Sequence, residues 1–265
     1  MCRGVGVAGR VISVGEGVDA AWLGQRVVSD TDGGYATRAV APEEQLTAVP
    51  DGLDLRDAAA LLHDGRTALG LADAAELAPG EWVLVLPAAG GLGILLVQVA
   101  HAAGARVVGA ARGKRKLDLA KEMGAEVVVD YSAPDWLDVV REATGATGPC
   151  VVFDGVGGQL GRAAFGVISS PGRFFGFGTP GGGFAQIDRK GAERNGVTVH
   201  GIELVQFGPP DGRRLVGRAL AEAAAGRIRP VIGQTFPLEC AAEAHRAIEA
   251  RDAVGKTLLL TKEVS

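Results

Sequence analysis

Six consecutive residues, Ala88-Ala89-Gly90-Gly91-Leu92-Gly93, have the composition of a turn that lets an anion approach the main chain. A Cβ on such a turn would hold phosphate oxygens away from the backbone amides, and glycine at positions 90 and 91 removes that obstacle. A helix starting at the turn would add free N–H groups and the positive end of its macrodipole. Gly93 would let that helix pack close to the strand before it. The pattern is one glycine short of G-x-G-x-x-G, because Ala88 stands at its first position. A turn of this kind also occurs as plain packing, so its flanks decide between the two readings.

Two further stretches could act on the same ligand. The apolar run 106–111 ends in Ala110-Ala111, where a carboxylate would bond ribose hydroxyls, and Arg112 follows, with Lys114 and Lys116 beyond it. A carboxylate would repel a ribose 2′-phosphate and a cation attracts it. Charge-assisted bonds to such a group contribute ~1.5–3 kcal/mol each, so one or two would favour NADPH over NADH by about tenfold to a thousandfold. The competing reading of Arg112 and Lys114 is a solvated surface face. Asp154-Gly155-Val156-Gly157-Gly158 follows a later apolar run, at the strand ends where open α/β sheets bind ligands. Ordinary strand-to-helix turn chemistry would give the same composition.

The flanks favour the ligand reading. Trp82 to Leu86 is an unbroken apolar run, suited to a strand covered on both faces. Residues 94–103 are apolar almost all round, so a helix there is buried. Strand, glycine turn and helix open a dinucleotide-binding unit. Strands are then expected over 106–111, 126–129, 150–153, 173–177 and 197–204, with helices over 114–123, 136–144 and 161–168 between them. This alternation predicts an α/β fold with a doubly wound parallel sheet over 65–205. Residues 1–64 read as mostly β, with strands over 5–14, 26–28, 35–40 and 46–49, then a helical pattern from Asp57 to Glu76. Residues 206–265 are mixed: helices over 213–226 and 238–251, an extended piece over 229–236 and a strand over 255–261.

Composition narrows the partners. The chain has 265 residues, 47% hydrophobic and 22% charged, with a net charge of −4. That balance supplies no electrostatic basis for nucleic acid. No apolar run reaches the ~18 residues of a membrane span. Cys2, Cys150 and Cys240 lack CxxC or CxxH spacing and read as free thiols in a reducing compartment, which predicts a cytoplasmic location. No Ser/His/Asp, Cys/His or paired-carboxylate arrangement is visible.

Taken in order, the chain resembles the medium-chain dehydrogenase/reductase superfamily, in its zinc-independent quinone oxidoreductase branch. The matching pieces include Ala8-Gly9-Arg10-Val11, Gly24-Gln25-Arg26-Val27, Gly34-Tyr35-Ala36, Thr67-Ala68, Pro79-Gly80-Glu81, Ala88 to Gly93, Gly104-Ala105, Lys116, Gly124-Ala125, Asp130-Tyr131, Asp154-Gly155-Val156-Gly157 and Gly255-Lys256. The resemblance implies a Rossmann domain beside a partial GroES-like catalytic domain over 1–64, to which 206–265 return. It implies NADPH as cofactor and a quinone or enone, a small conjugated carbonyl compound, as hydride acceptor. It also implies that Ala89, Gly90, Gly91, Leu92 and Gly93 hold the diphosphate, while Lys116 and Tyr131 clasp the 2′-phosphate and Arg251 aligns with a third such position. Gly155 and Val156 would line the adenosine and ribose side, Phe177 and Gly178 would border the nicotinamide, and Thr67 would contact the acceptor. A homodimer joined at the strand around 197–204 is implied as well.

Departures from the family pattern shape these expectations. Zinc-dependent relatives carry a Gly-His-Glu ligand segment, matched here by Gly4-Val5-Gly6, and valine cannot bind a metal. His63 stands where those relatives place a cysteine ligand, without partner ligands nearby in sequence, so no metal is expected. Family members begin with further strands ahead of Met1, which suggests an N-terminally shortened chain. Two alternatives follow: an NADPH-binding protein without catalysis, or an enoyl-thioester or alcohol-type reductase of the same superfamily. No residue stands out as the catalytic proton donor.

Overall fold

The computed structural model describes residues 4–262, so Cys2 lies outside the described residues. The chain divides into two compact units, one formed by 1–67 with 207–265 and the other by 68–206.

The first unit opens with an antiparallel sheet of β1 (Gly6–Arg10), β2 (Arg26–Asp30) and β3 (Thr47–Ala48), in that order. Val27, Val28 and Ser29 of β2 are buried. The long helix α1 (Leu55–Ala75) follows and runs from the first unit into the second. Asp54 caps it: its Oδ1 accepts the Arg56 N–H at 2.7 Å. Asp30, at the end of β2, accepts a hydrogen bond from Arg66 of α1 at 2.6 Å.

The second unit is a wound sheet. Its elements are β4 (Trp82–Leu86), α2 (Gly91–Ala102), β5 (Arg106–Ala111), α3 (Lys114–Glu122), β6 (Val127–Asp130), α4 (Trp136–Ala143), β7 (Val151–Asp154), α5 (Gly158–Phe165), β8 (Gly172–Gly176), α6 (Arg189–Arg194) and β9 (Val197–His200). All six strands are parallel, in the order β6-β5-β4-β7-β8-β9. The order reverses between β4 and β7, which makes that pair the topological switch point. Leu84, Leu86, Val108, Val152, Phe174, Trp136 and Val140 are among the buried side chains of its core. Covering both faces of the sheet is what the unbroken apolar strands require. At the amino ends of β4, β5 and β6, the Arg106 guanidinium lies 4.0 Å from the centroid of the Trp82 ring and bonds both carboxylate oxygens of Glu126.

The chain then returns to the first unit with α7 (Pro209–Ala224), β10 (Ile232–Pro237), α8 (Ala241–Glu249) and β11 (Lys256–Leu260), and β10 pairs with β11 in parallel. Lys256 bonds Asp64 of α1 at 2.9 Å.

Several expected elements change. Residues 35–38 form bends and 39–40 are irregular, so no strand forms here. The Val40 carbonyl accepts the Thr31 hydroxyl at 2.8 Å while the Val40 side chain stands 91% exposed, so the segment loops back and joins no sheet among the described residues. The first strand stops at Arg10, four residues early, because its partner chain turns away at Gly24, whose φ is +78°. The strand expected over 197–204 ends at His200 and a 3-10 turn, Ile202–Val205, replaces the rest. Glu203 Oε1 accepts the Gly201 N–H at 3.0 Å and holds that turn. The helix expected over 161–168 begins three residues sooner, directly on the loop after β7. The last helix is split into a 3-10 turn, Leu238–Cys240, and α8. The short α6 has no counterpart in the sequence reading.

Candidate functional site

The carboxyl ends of β4, β7 and β8 carry three glycine-containing loops. The first joins β4 to α2. Ala88 N–H donates to Ala110 O at 2.9 Å, which ties the loop to the end of β5, and the first helical bond runs from Ile94 N–H to Gly90 O at 2.9 Å. The amides of Gly91, Leu92 and Gly93 therefore precede the helical ladder. Gly90 is the N-cap residue, with φ −80° and ψ 166°, and no side chain caps the turn. A serine or aspartate there would place its own oxygen on those amides. Glycine leaves them for an outside anion. Gly93 serves packing: a Cβ there would stand 1.9 Å from Pro87 O, so only glycine lets α2 start this close to the loop.

The second loop is organised by Asp154, the last residue of β7, whose side chain is wholly buried. Its Oδ1 accepts the N–H groups of Val156 at 2.9 Å and Gly157 at 2.8 Å. Its Oδ2 has no hydrogen-bond partner among the described residues, and a Cβ on Gly161 would lie 2.0 Å from it. Burial pushes the Asp154 carboxyl above the usual carboxylate range, against the two amide bonds that pull it down. Gly155 N–H donates to Leu86 O at 2.7 Å, so the loops after β4 and β7 are joined through the main chain.

The third loop, after β8, interlocks with the second. The Phe177 and Gly178 amides donate to Asp154 O at 2.9 and 3.3 Å. A Cβ on Gly178 would meet Gly155 O at 1.9 Å. Gly181 N–H donates to Val156 O at 2.7 Å, and Gly158 N–H to Gly183 O at 2.8 Å. Asp154 thus holds one loop with its side chain and the other with its carbonyl.

At the far side of the switch point, Tyr131 N–H donates to Ala111 O at 3.1 Å, which aligns the ends of β6 and β5. Arg112 is exposed just past β5 and Lys116 lies in the first turn of α3. Lys114 bonds both oxygens of Asp118. Asp130, quoted in the sequence reading only as part of the family match and given no role there, stands here too: its Oδ2 accepts the Gly113 N–H at 3.0 Å.

The second unit thus gathers Ala89 to Gly93, Arg112, Lys116, Tyr131, Gly155, Val156, Phe177 and Gly178 along one edge of its sheet. Thr67 and Arg251 belong to the first unit, Thr67 within α1 and Arg251 just after α8 with φ 59°. Asp154 and the glycines at 181–183 were missed as organisers. The signals were an aspartate closing an apolar strand and a run of three glycines.

Among the described residues, the histidines and cysteines do not assemble a metal centre. His63 Nδ1 lies 3.0 Å from an Arg66 nitrogen, and its buried Nε2 is close enough to β1 that a Cβ on Gly6 would come within 2.7 Å. His245 Nε2 lies 3.0 Å from the Tyr35 hydroxyl. Cys150 and Cys240 are free thiols. Among the described residues no group of three or more His, Cys, Asp and Glu side chains is placed to hold a metal ion, and no helix is long and apolar enough to cross a membrane.

A parallel sheet in this order, with glycine loops at its switch point and a helix start without a side-chain cap, is a Rossmann-type α/β fold, an architecture whose switch point is the usual place for a dinucleotide. Residues 91–218 match the family model described as zinc-binding dehydrogenase. The quinone oxidoreductase of Sus scrofa is 32% identical over 261 residues, covering 97% of this chain and 79% of that protein. A mycobacterial protein solved in complex with NADPH superposes with a TM-score of 0.89 at 34% identity, covering 97% of this chain and 82% of that one. The Escherichia coli quinone oxidoreductase, solved with NADPH, superposes with a TM-score of 0.88 at 27% identity, covering 97% and 81%. The chain belongs to the quinone oxidoreductase branch of the medium-chain dehydrogenase/reductase superfamily.

Proposed function

We propose that this protein is an NADPH-dependent reductase that delivers hydride to a small conjugated carbonyl acceptor, a quinone or an enone. The observation that carries the reading is the start of α2 at the switch point, where the amides of Gly91, Leu92 and Gly93 precede the ladder and Gly90 offers no capping side chain. Two similar structures were solved with NADPH, which supports the choice of nucleotide.

In this reading Ala89 to Gly93 hold the diphosphate through the main chain, and Arg112, Lys116 and Tyr131 take the 2′-phosphate, with Arg251 as a further cation. Gly155 and Val156 line the ribose side and Phe177 and Gly178 border the nicotinamide. The loop after β7 keeps its shape because Asp154 bonds two of its amides. NADPH, when bound, supplies the hydride chemistry. The chain aligns the reactants and excludes water, and alignment alone is able to remove about 7–11 kcal/mol of barrier. Thr67 serves as an acceptor contact. A homodimer formed at β9, the outermost strand of the sheet, is part of the same proposal.

The experiment is direct. Purified protein is mixed with NADPH and a panel of quinones and enones, and the loss of nicotinamide absorbance is followed. Turnover with at least one acceptor is expected. A folded sample that turns over none of them overturns the enzymatic reading.

A further inference from the structure

Asp130 closes β6 directly beside Ala111, the last residue of β5. Three donors hold its carboxylate: the Gly113 N–H on Oδ2 at 3.0 Å, and the Ser132 N–H and hydroxyl on Oδ1 at 2.9 and 2.5 Å. Gly113 is the N-cap residue of α3, so the amide at the mouth of that helix already has an anion, supplied by the neighbouring strand. The Ser132 bonds, the Gly113 bond and the nearby Arg112 charge, in that order, hold the carboxyl below its ordinary range, and it stays ionised at neutral pH. The basic run after β5 is offset a second time, because the Lys114 ammonium bonds both oxygens of Asp118. Read from sequence alone, Arg112, Lys114 and Lys116 make an uncompensated cluster of cations. In the fold Lys114 bonds Asp118, and the Arg112 charge acts on Asp130.

We propose that Asp130 is a specificity-determining residue: its charge beside the end of β5 opposes a ribose 2′-phosphate and draws on Arg112, so the preference for NADPH over NADH is narrower than the cations alone would set. The inference rests on the dinucleotide reading above. The repulsion between a carboxylate and a phosphate dianion at a solvated edge is modest and screened by salt. It corresponds to about five- to tenfold in affinity at low ionic strength.

The test uses 2′,5′-ADP and 5′-AMP, which differ only in the 2′-phosphate, titrated calorimetrically into the full chain. Asp130→Asn should raise the affinity for 2′,5′-ADP about five- to tenfold and leave 5′-AMP unchanged, with the gain shrinking as salt is added. Ser132→Ala removes a bond to the same carboxylate and keeps the charge, so it should leave the ratio of the two affinities unchanged. If Asp130→Asn does not fold, Asp130→Ser serves in the same assay. Binding of 5′-AMP reports that the site is intact. An unchanged or reduced ratio in a variant that still binds 5′-AMP overturns the inference alone. Failure of the unaltered protein to bind either nucleotide at millimolar concentration overturns the dinucleotide reading, and this inference falls with it.

Discussion

A Cβ placed on Gly93 would stand 1.9 Å from the carbonyl oxygen of Pro87 and 2.9 Å from its carbonyl carbon. Both are main-chain atoms, so no rotamer change relieves the clash. Gly93→Ala should destabilise the second unit by about 1–3 kcal/mol, the overpacking cost exceeding the gain in helix propensity. Because the relief must come from a shift of the α2 start, nucleotide affinity should drop at least tenfold. Urea unfolding and a fluorescence titration with NADPH check the two effects. A variant as stable and as tightly binding as the unaltered protein would contradict the packing.

Asp154 offers a pH-dependent test. Its folded pKa lies above the free value of 3.8 because of burial. The folded state therefore favours the protonated form. The stability this group contributes is fully present below the unfolded pKa and is lost as pH rises through the folded one. Asp154→Asn has no proton to lose and keeps an oxygen for the Val156 and Gly157 amides. Its urea midpoint should gain on that of the unaltered protein as pH rises from about 4 to about 8. Asp154→Ala leaves both amides without that acceptor and should cost about 2–4 kcal/mol.

The two histidines held below their ordinary range behave in the opposite sense. His200 stacks on Phe175, ring centroids 4.7 Å apart, and burial lowers its pKa; Arg189 adds to this and Glu203 opposes it. Burial also lowers His63, with Arg66 and Lys256 in the same direction and Asp30 and Asp64 against. The fold favours the neutral form of both. Their contribution is full above the free-imidazole value of 6.5 and is lost as pH falls through the folded pKa values. The melting temperature should decline from about pH 7.5 to pH 5, and His200→Phe should flatten part of that decline. Proton NMR titration of the two imidazoles checks the assignment.

Lys116 tests the choice between nucleotides. Lys116→Ala should weaken NADPH about tenfold or more through the loss of one charge-assisted bond and leave NADH unaffected. Equal losses for both nucleotides would place Lys116 away from the 2′-phosphate. For the assembly, light scattering on a size-exclusion peak should return twice the chain mass. A monomer mass would remove the proposed pairing at β9.

The parts legible in sequence were those governed by local rules. The run Trp82 to Leu86, the glycine turn and the apolar stretch after it announced β4, the loop and α2, because a strand covered on both faces must be apolar throughout. The strand spanning 106–111 was read to the residue. Residues 35–40 misled because Tyr35 and Val40 have strand composition, while a strand also needs a neighbour, and sequence does not show that Val40 spends its carbonyl on Thr31. Arg112 and Lys114 were read as cations available to a phosphate. Asp118, one helical turn on from Lys114, was within reach of the helix expected over 114–123, whereas Asp130 from the adjacent strand became visible beside Arg112 only with strand register.

The sequence by itself determined the alternation of strands and helices, the glycines that leave main-chain amides accessible, and the family to which the chain belongs. All of these follow from residue type and spacing along the chain. Tertiary structure decided which loops meet. Asp154 binds the loop after β7 through its side chain and the loop after β8 through its carbonyl, and Asp130 reaches the mouth of α3 across a strand boundary. The reason is that parallel strands place residues far apart in the chain at adjacent ends of one sheet, where hydrogen bonds and charges act over a few ångströms regardless of separation in sequence.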